Sequence, residues 1–512
     1  MLTASIDQQI KVQKAFWFCV IILGALGMGY LLAADQLMLA LAVAGGAWMM
    51  TLPYHSKLSS YLAVATFSSA LIVPLFPGRP YVWEFAALLG WSGLTITVMM
   101  RQYARDSAQV IHQNRWLFIG MLGYCAVLMA TMMYRGVGLR ILGSGQMGGR
   151  FYFQQMTCVI FPFLFVMYRL DEKTLYRLFV IQMLLTFTYF VSDFAFSFAP
   201  EGLFFLLQFF ELPGDAVNFE YQSARMGIRR FQSLYVVGSG MFFLLLLRYN
   251  IREFLGKKAL ILIPAAMGTV MLGMLSGHRF LVMVVLGVLA FCAVAQKFFD
   301  LKNTILLLVA TVSLVFLTYA YVEHAPLSVQ RTASVLPGIH VDPQARQDGD
   351  ATLETRRQLR RLGMDMMPQF FWMGRGFGLE MNDYSWQWDP STVTMHANSG
   401  RFFNGFIGLM VNTGIPGTLF MGLFLIAGTV IAYKILMHVR SHGCDDNFSR
   451  MCTVLGGMWV AYVFGFTFLH GDSEYAMKTF SLLAGLLLAC WAALQRRLEV
   501  AQQERGTEPV AE

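Results

Sequence analysis

Long apolar runs recur along this 512-residue sequence from residue 15 to residue 494, and they limit the possible fold more than any other feature. A helix needs about 20 apolar residues to cross the hydrocarbon core of a bilayer. Hydrophobic residues make up 57% of the chain and charged residues only 13%, whereas soluble domains carry roughly 25% charge. We therefore predict an all-α, polytopic membrane protein.

The same length rule predicts about 12 to 14 transmembrane helices, with one large extracytoplasmic loop between the late helices. The approximate extents are 15–33, 37–52, 58–76, 81–99, 116–134, 151–168, 175–196, 233–248, 259–276, 280–296, 304–321, 402–436, 451–469 and 475–494. The run 402–436 is interrupted at Gly414-Ile415-Pro416-Gly417. This interruption predicts a short re-entrant or half helix followed by a full span.

The first apolar run follows Lys11 and Lys14 and ends in Ala33-Ala34, a pattern that also fits a signal peptide. The run is longer than the apolar region of a signal peptide, which has about 7–15 residues, and a second span follows at once. We therefore interpret it as a membrane anchor.

Lysine and arginine residues concentrate in alternate short loops, which indicates the orientation of the chain by the positive-inside rule. We predict that both termini are cytoplasmic and that the segments 135–150, 197–232 and 322–401 lie outside. The net charge of +8 then reflects topology, and we predict no nucleic-acid partner. The chain divides into an N-terminal bundle (1–321), a large periplasmic loop (322–401), C-terminal transmembrane helices (402–494) and a cytoplasmic tail (495–512).

The cysteines and the known nucleotide motifs point to no metal or cofactor. No predicted outer loop contains a cysteine, and no CxxC or Cys/His spacing typical of zinc is present. The sequence also lacks a GxxxxGK[ST] phosphate loop. We therefore expect no metal, no cofactor and no nucleotide hydrolysis by this chain.

The predicted outer segments are rich in arginine, against the positive-inside bias. These arginines either pair with acidic residues such as Asp350 and Glu354, contact lipid phosphate, or bind a ligand that carries phosphates and a sugar or polymeric head. Arg279, at the outer end of a span, either snorkels to the headgroups or faces a polar cavity. The arginines concerned are Arg135, Arg140, Arg150, Arg225, Arg229, Arg230, Arg279, Arg331, Arg346, Arg356, Arg357, Arg360, Arg361, Arg375 and Arg401.

Residues 350–417 carry a family resemblance. The segment "DATLETRRQLRRLGMDMMPQFFWMGRGFG", followed by "FNGFIGLMVNTGIPG", resembles the C-terminal signature of the bacterial O-antigen ligase and O-antigen polymerase superfamily. The upstream "SGHRF" is similar to the Ser-x-Arg of that family at the outer end of a span. These motifs cover about a third of the chain, and their order and topology supply most of the specificity.

The resemblance implies roles for particular residues. Arg279 and Arg356 would hold the diphosphate of a polyprenyl-diphosphate-linked glycan, with Arg357 as the register alternative to Arg356. Where the family often has a histidine before Asn-Gly, this chain has Phe403, and the nearest histidine is His396. An imidazole with an unperturbed pKa of about 6.5 accepts a proton near neutrality. His396 is therefore the candidate catalytic base, and its alternative role is that of a polar loop residue.

Asp383, Trp386 and Trp388 in the same loop are candidates for sugar binding. Trp372 and Tyr384 join these tryptophans as aromatic side chains that either stack on sugar faces or form an interfacial belt. Asp383 or water is the alternative acceptor for the hydroxyl proton. The upstream segment "EGLFFLLQFFELPG" predicts an amphipathic helix along the outer interface.

The resemblance implies a glycosyltransferase in the bacterial inner membrane, with an undecaprenyl-diphosphate-linked glycan as donor and membrane lipids around it. Within that class we expect a polymerase of a surface polysaccharide such as O-antigen or exopolysaccharide, with a glycan acceptor. The first alternative is a ligase that joins glycan to lipid A core or to protein. The alternative from another class is a transporter of lipid-linked glycan. The sequence does not name the sugars, the linkage or the acceptor.

Overall fold

The protein is a helical bundle whose large loop, residues 322–401, packs against the start of the helix that follows it. The computed structural model describes residues 18–19, 22–27, 29–31, 33–34, 36–75, 79–138, 146–198, 200–211, 228, 230–380, 393, 396–397 and 399–506. The proposed sugar-binding residues Asp383, Trp386 and Trp388 lie outside these described residues.

The long apolar runs of the sequence form helices. Within the described ranges, eight helical segments are long and apolar enough to cross a membrane: Val82–Met99, Arg115–Arg135, Gly149–Tyr168, Glu172–Phe198, Leu301–His324, Gly405–His442, Asn447–Leu469 and Ser473–Val500. Three shorter apolar helices are Ser233–Arg248, Ala259–Met274 and Phe280–Ala295. The expectation of an all-α membrane protein is confirmed, and the number of crossings stays a prediction.

The remaining elements complete the bundle and the loop. Shorter α-helices are Ser107–Gln113, Pro200–Leu203 and Leu327–Ala333. Two of the long segments each consist of two α-helices separated by a short interruption: Gly149–Cys158 with Ile160–Tyr168, and Glu172–Leu185 with Thr188–Phe198. Short 3₁₀ turns are Phe204–Gln208, Ile251–Leu255, Val322–His324, Met367–Phe370 and Ser473–Tyr475, and Gly465–Leu469 is a π-helical turn. Two-residue strands, Gln146–Met147 and Leu379–Glu380, pair antiparallel and join two of the outer segments.

The predicted span 37–52 and the first part of the predicted span 58–76 lie on one continuous helix, Leu37–Thr66, and residues 67–75 are not helical. The polar residues Tyr54-His55-Ser56-Lys57 lower the local hydropathy, but they are compatible with helical backbone and do not end the helix. The segment predicted as one amphipathic interfacial helix also differs, because Pro200–Leu203 and the 3₁₀ turn Phe204–Gln208 follow each other instead.

The predicted interruption of the twelfth run is confirmed. We call Gly405–His442 the broken helix, because Gly414 within it has φ 69° and ψ −172°, which is not helical. Glycine tolerates this positive φ, and the following Pro416 has no N–H to donate. The freed Ile415 N–H donates to the Phe371 carbonyl at 2.8 Å. The large loop therefore packs against the break and satisfies its backbone.

The helix Pro343–Met366, which we call the loop helix, dominates the described part of the large loop. Its N-cap Asp342 accepts from the Gln344 N–H at 2.8 Å, and proline occupies its first position. Asp348, Leu359 and Gly363 are buried along one face, as expected for an amphipathic helix. At Gly363 a Cβ would collide with Ile407 and Phe402. The loop helix therefore lies directly against the start of the broken helix.

Candidate anion-binding site

Arg279 lies at the N-cap of the helix Phe280–Ala295 and points into the protein. Its Nη2 donates to the Arg331 carbonyl at 3.0 Å and to Ser334 Oγ at 3.2 Å. Its buried Nε has no hydrogen-bond partner among the described residues. The guanidinium thus contacts the large loop.

Arg356 reaches the same region from the loop helix. Its guanidinium lies over the Phe403 ring, 5.3 Å from the centroid. Burial, together with the positive charges of Arg331 and Arg279, lowers the pKa of Arg356 to about 10. This side chain therefore stays charged at neutral pH. Within the described ranges, neither Arg279 nor Arg356 forms a direct ion pair, although Asp348 and Asp350 act electrostatically on Arg279 and Asp472 acts on Arg356. The structure thus brings together two cations that contact no carboxylate directly.

The buried carboxylate of Asp348 binds two further arginines close to Arg279 and Arg356. Asp348 of the loop helix accepts hydrogen bonds from both Arg230 and Arg331, and all three side chains are largely buried. Arg331 also donates to the Gly277 carbonyl at 2.6 Å and to Thr352 Oγ1 at 2.8 Å. One carboxylate is shared by two arginines, so this ion triad is itself positively charged.

We call Arg279, Arg331, Arg356 and Arg360 the arginine cluster. Arg360 donates to the Leu469 carbonyl at 3.1 Å, which links the cluster to the C-terminal helices. The broken helix also begins here, where the Asn404 side chain caps it by accepting from the Ile407 N–H at 3.0 Å. Helix N-termini carry partial positive charge and attract anions. Charge, burial and helix ends together favour a multiply charged anion such as a diphosphate.

The Phe403 ring is the centre of an aromatic group beside the arginine cluster. His470 stacks on it with centroids 5.2 Å apart, and His396 meets it edge to face at 4.9 Å. Burial and the charges of Arg356, Arg401 and Arg360 lower the pKa of His470 to about 3. His470 is therefore neutral at physiological pH. The candidate base His396 lies within this group, next to the ring that Arg356 covers.

The turn between the last two spans contributes groups that the sequence analysis did not identify. This outer turn, residues 470–475, reads "HGDSEY". Burial raises the pKa of Asp472, while the nearby Arg401, His396 and Arg356 oppose that shift. Arg401 pairs with the buried Glu474 at 2.5 Å. The sequence signal that could have found them is the density of polar residues in the very short connection between the last two predicted spans.

The other predicted residues lie apart. Arg357 follows Arg356 on the loop helix but its side chain is exposed and pairs with Glu354 at 3.6 Å, so it does not join Arg279. Trp372 is also exposed and meets Phe371 edge to face. No group of three or more His, Cys, Asp or Glu side chains that could hold a metal ion is present among the described residues.

No protein-family model matches the chain, and no curated protein matches it significantly.

Proposed function

We propose that this protein is a membrane glycosyltransferase that transfers a polyprenyl-diphosphate-linked glycan to an acceptor on the periplasmic side of the bacterial inner membrane. The observation that carries the proposal is the pairing of Arg279 and Arg356, which approach from different elements and have no ion-pair partner in the described chain. Arginine binds phosphate oxygens through two parallel hydrogen bonds. Two such side chains suit the two phosphates of a lipid diphosphate.

The reaction is a displacement at the anomeric carbon of the donor glycan. A hydroxyl oxygen of the acceptor forms the new C–O bond, while the bond between the anomeric carbon and the diphosphate oxygen breaks. The lipid diphosphate leaves with the bonding electron pair, so negative charge develops on its oxygens. Prepositioned cations stabilise that charge as it forms. Arg279 and Arg356 are assigned this role, with the helix N-terminus capped by Asn404 behind them.

The acceptor hydroxyl must also lose a proton. His396 is assigned as the base, since it lies beside Phe403 and therefore next to the guanidinium of Arg356. General base help typically contributes about 10²–10⁴-fold to a rate. Asp472 is coupled electrostatically to both His396 and Arg356. Its charge favours the imidazolium that forms when His396 accepts the proton.

Within this class we propose a polymerase of a surface polysaccharide. Deletion of the coding sequence, followed by gel analysis of the surface glycan, tests the proposal. Loss of long chains with single repeat units retained on the acceptor supports a polymerase, whereas loss of every capped acceptor identifies a ligase. Accumulation of donor on the inner leaflet, with transfer intact in isolated membranes, would contradict both and identify a transporter.

A further inference from the structure

A second polar group lies at the outer end of the final helix, Ala476–Gly506, outside the arginine cluster. The Lys478 ammonium lies over three aromatic rings, 4.7 Å from the Tyr81 centroid, 5.4 Å from that of Trp83 and 5.7 Å from that of Tyr475. We call these three rings the aromatic cage. Within the described ranges Lys478 has no ion pair or hydrogen bond to its three donors.

Acidic and amide groups surround the cage. The buried Glu84 accepts from the Tyr81 N–H at 2.9 Å and from the Gln154 amide, and it pairs with Arg150 at 3.5 Å. The Arg150 guanidinium also lies over the Tyr81 ring, 5.1 Å from its centroid. Glu211 is coupled electrostatically to both Tyr81 and Lys478.

Two polar atoms here are left without partners. Trp83 is fully buried, and its indole Nε1–H has no acceptor among the described residues. One carboxylate oxygen of Glu211 is likewise buried without a donor. A buried polar atom that makes no hydrogen bond costs about 1–3 kcal/mol. Such groups, next to an ammonium without a partner, mark a place where a ligand supplies the missing hydrogen bonds.

Only a short stretch of chain separates the aromatic cage from residues that interact with the arginine cluster. Asp472, which is coupled to Arg356, and Lys478 are separated by five residues. Between them, the Tyr475 hydroxyl accepts from Arg401 at 3.3 Å. A ligand held in the cage therefore lies beside the region where transfer is proposed to occur.

We propose that the aromatic cage, with Glu84, Glu211 and Lys478, is a subsite for a pyranose ring of the glycan substrate; this inference rests on the proposed function. Aromatic faces pack against the C–H faces of a sugar, and carboxylates and an ammonium bind its hydroxyls. Two cations, Lys478 and Arg150, balance two carboxylates, so the subsite favours a neutral sugar over a second phosphate. The ring belongs either to the acceptor or to the donor glycan.

A binding measurement that needs no transfer tests the subsite. The probe is the repeat-unit oligosaccharide released by mild acid from the surface polysaccharide of the cells that make this protein. Calorimetric titration into the protein in nanodiscs should show binding that Lys478→Met and Tyr81→Ala each weaken by about tenfold. Tyr81→Phe should keep most of the affinity, because it keeps the ring. Lys434→Met is the matched control, since Lys434 lies over the Trp491 ring, 5.9 Å from its centroid, near the other end of the broken helix.

Failure of the subsite and failure of the proposed function give different results. Wild-type protein that forms product from lipid-linked donor, yet binds no oligosaccharide, overturns the subsite alone. Binding that depends on Lys478 in a protein that forms no product supports the subsite and overturns the transfer reaction. In active protein, a Lys478→Met effect on the KM of the acceptor assigns the ring to the acceptor, and an effect on the KM of the donor assigns it to the donor. Unchanged affinity and KM in folded Lys478→Met protein overturn the subsite.

Discussion

The ring of Phe403 stacks on the ring of His470, with centroids 5.2 Å apart and planes inclined by 17°. Phe403 has a positive φ of 48° just before the Asn404 cap of the broken helix. A non-glycine residue rarely adopts a positive φ, and it does so only where contacts with its neighbours hold it in place. His470, His396 and Arg356 supply those surroundings, so this phenylalanine links the large loop, the broken helix and the outer turn.

Burial of neutral histidines predicts a loss of folding stability in mild acid. The pKa of His470 is lowered from 6.5 to about 3, so the unfolded chain binds a proton below pH 6.5 that the folded chain does not. Stability is therefore unaffected above that pH and falls as the pH drops from 6.5 towards 3, by about 1.4 kcal/mol per pH unit for one such group. Thermal unfolding in detergent between pH 4 and 8 should show this slope, and His470→Gln should make it shallower.

The exposed His324 provides the control for this prediction. His324→Gln should leave the pH dependence of unfolding unchanged. A His470→Gln protein with the wild-type slope would show that His470 is not buried in its neutral form.

The two neighbouring arginines of the loop helix should differ sharply in function. Arg356→Lys replaces a bidentate fork with a point charge and should remove most transfer activity, as should Arg279→Lys. Arg357→Lys should retain near wild-type activity, because Arg357 is exposed and its ion pair in the described chain is with the exposed Glu354. Initial rates with lipid-linked donor, normalised to the amount of inserted protein, measure the difference. Normal activity of Arg356→Lys would remove that residue from the diphosphate site.

The sequence predicts most of the helices because each needs a long apolar run, and that property is local. The prediction of helix ends fails where a polar stretch lowers the hydropathy without ending the helix, as at residues 54–57 within Leu37–Thr66. Gly414 and Pro416 predict the break in the broken helix, since their backbone restrictions are intrinsic. How the loop helix packs against the start of the broken helix depends on contacts such as Gly363 with Ile407 and Phe402, which no local pattern encodes.

For the candidate site, the sequence shows which residue types are present but not which of them lie together in the folded protein. Arginine in the predicted outer segments left three alternatives open, namely an acidic partner, lipid phosphate or an anionic ligand, and the family resemblance singled out Arg279 and Arg356. Their distinction from Arg357 needed the helix register, which only the structure shows. His470 and Asp472 were missed because their significance comes from tertiary contacts with Phe403 and Arg356.

Loss of the shared carboxylate should destabilise the outer part of the protein. Asp348→Asn leaves Arg230 and Arg331 buried and mutually repelling, and breaking a buried ion pair typically costs about 3–5 kcal/mol. We expect a clear drop in the thermal unfolding midpoint in detergent. Glu354→Gln breaks an exposed pair with Arg357 and alters an exposed hydrogen bond from Gln358. Such an exposed pair contributes at most about 1 kcal/mol, so this substitution should change the midpoint little. Equal effects of the two substitutions would contradict a supporting role for Asp348.

The proposed orientation predicts opposite reporter signals on either side of three apolar helices. Ala259–Met274, Phe280–Ala295 and Leu301–Tyr321 separate Gly256 from Asp348, so one crossing by each places these residues on different sides. Fusions after Gly256 and after Glu512 should report the cytoplasm, and a fusion after Asp348 the periplasm. A cytoplasmic signal from all three would place the arginine cluster on the wrong side for a periplasmic reaction.

His396 should control the pH dependence of transfer, whereas His470 should not. If His396 is the base, His396→Ala lowers the rate by about 10²–10⁴-fold and leaves donor binding intact. The pH–rate profile of the variant should also lose an inflection near neutrality. His470 stays neutral throughout the same range because its pKa is about 3, so His470→Gln should change the rate without moving that inflection. Should His396→Ala keep both its rate and its inflection, the departing diphosphate held by the arginines suffices, and the proton passes to water or to a carboxylate such as Asp383 or Asp472.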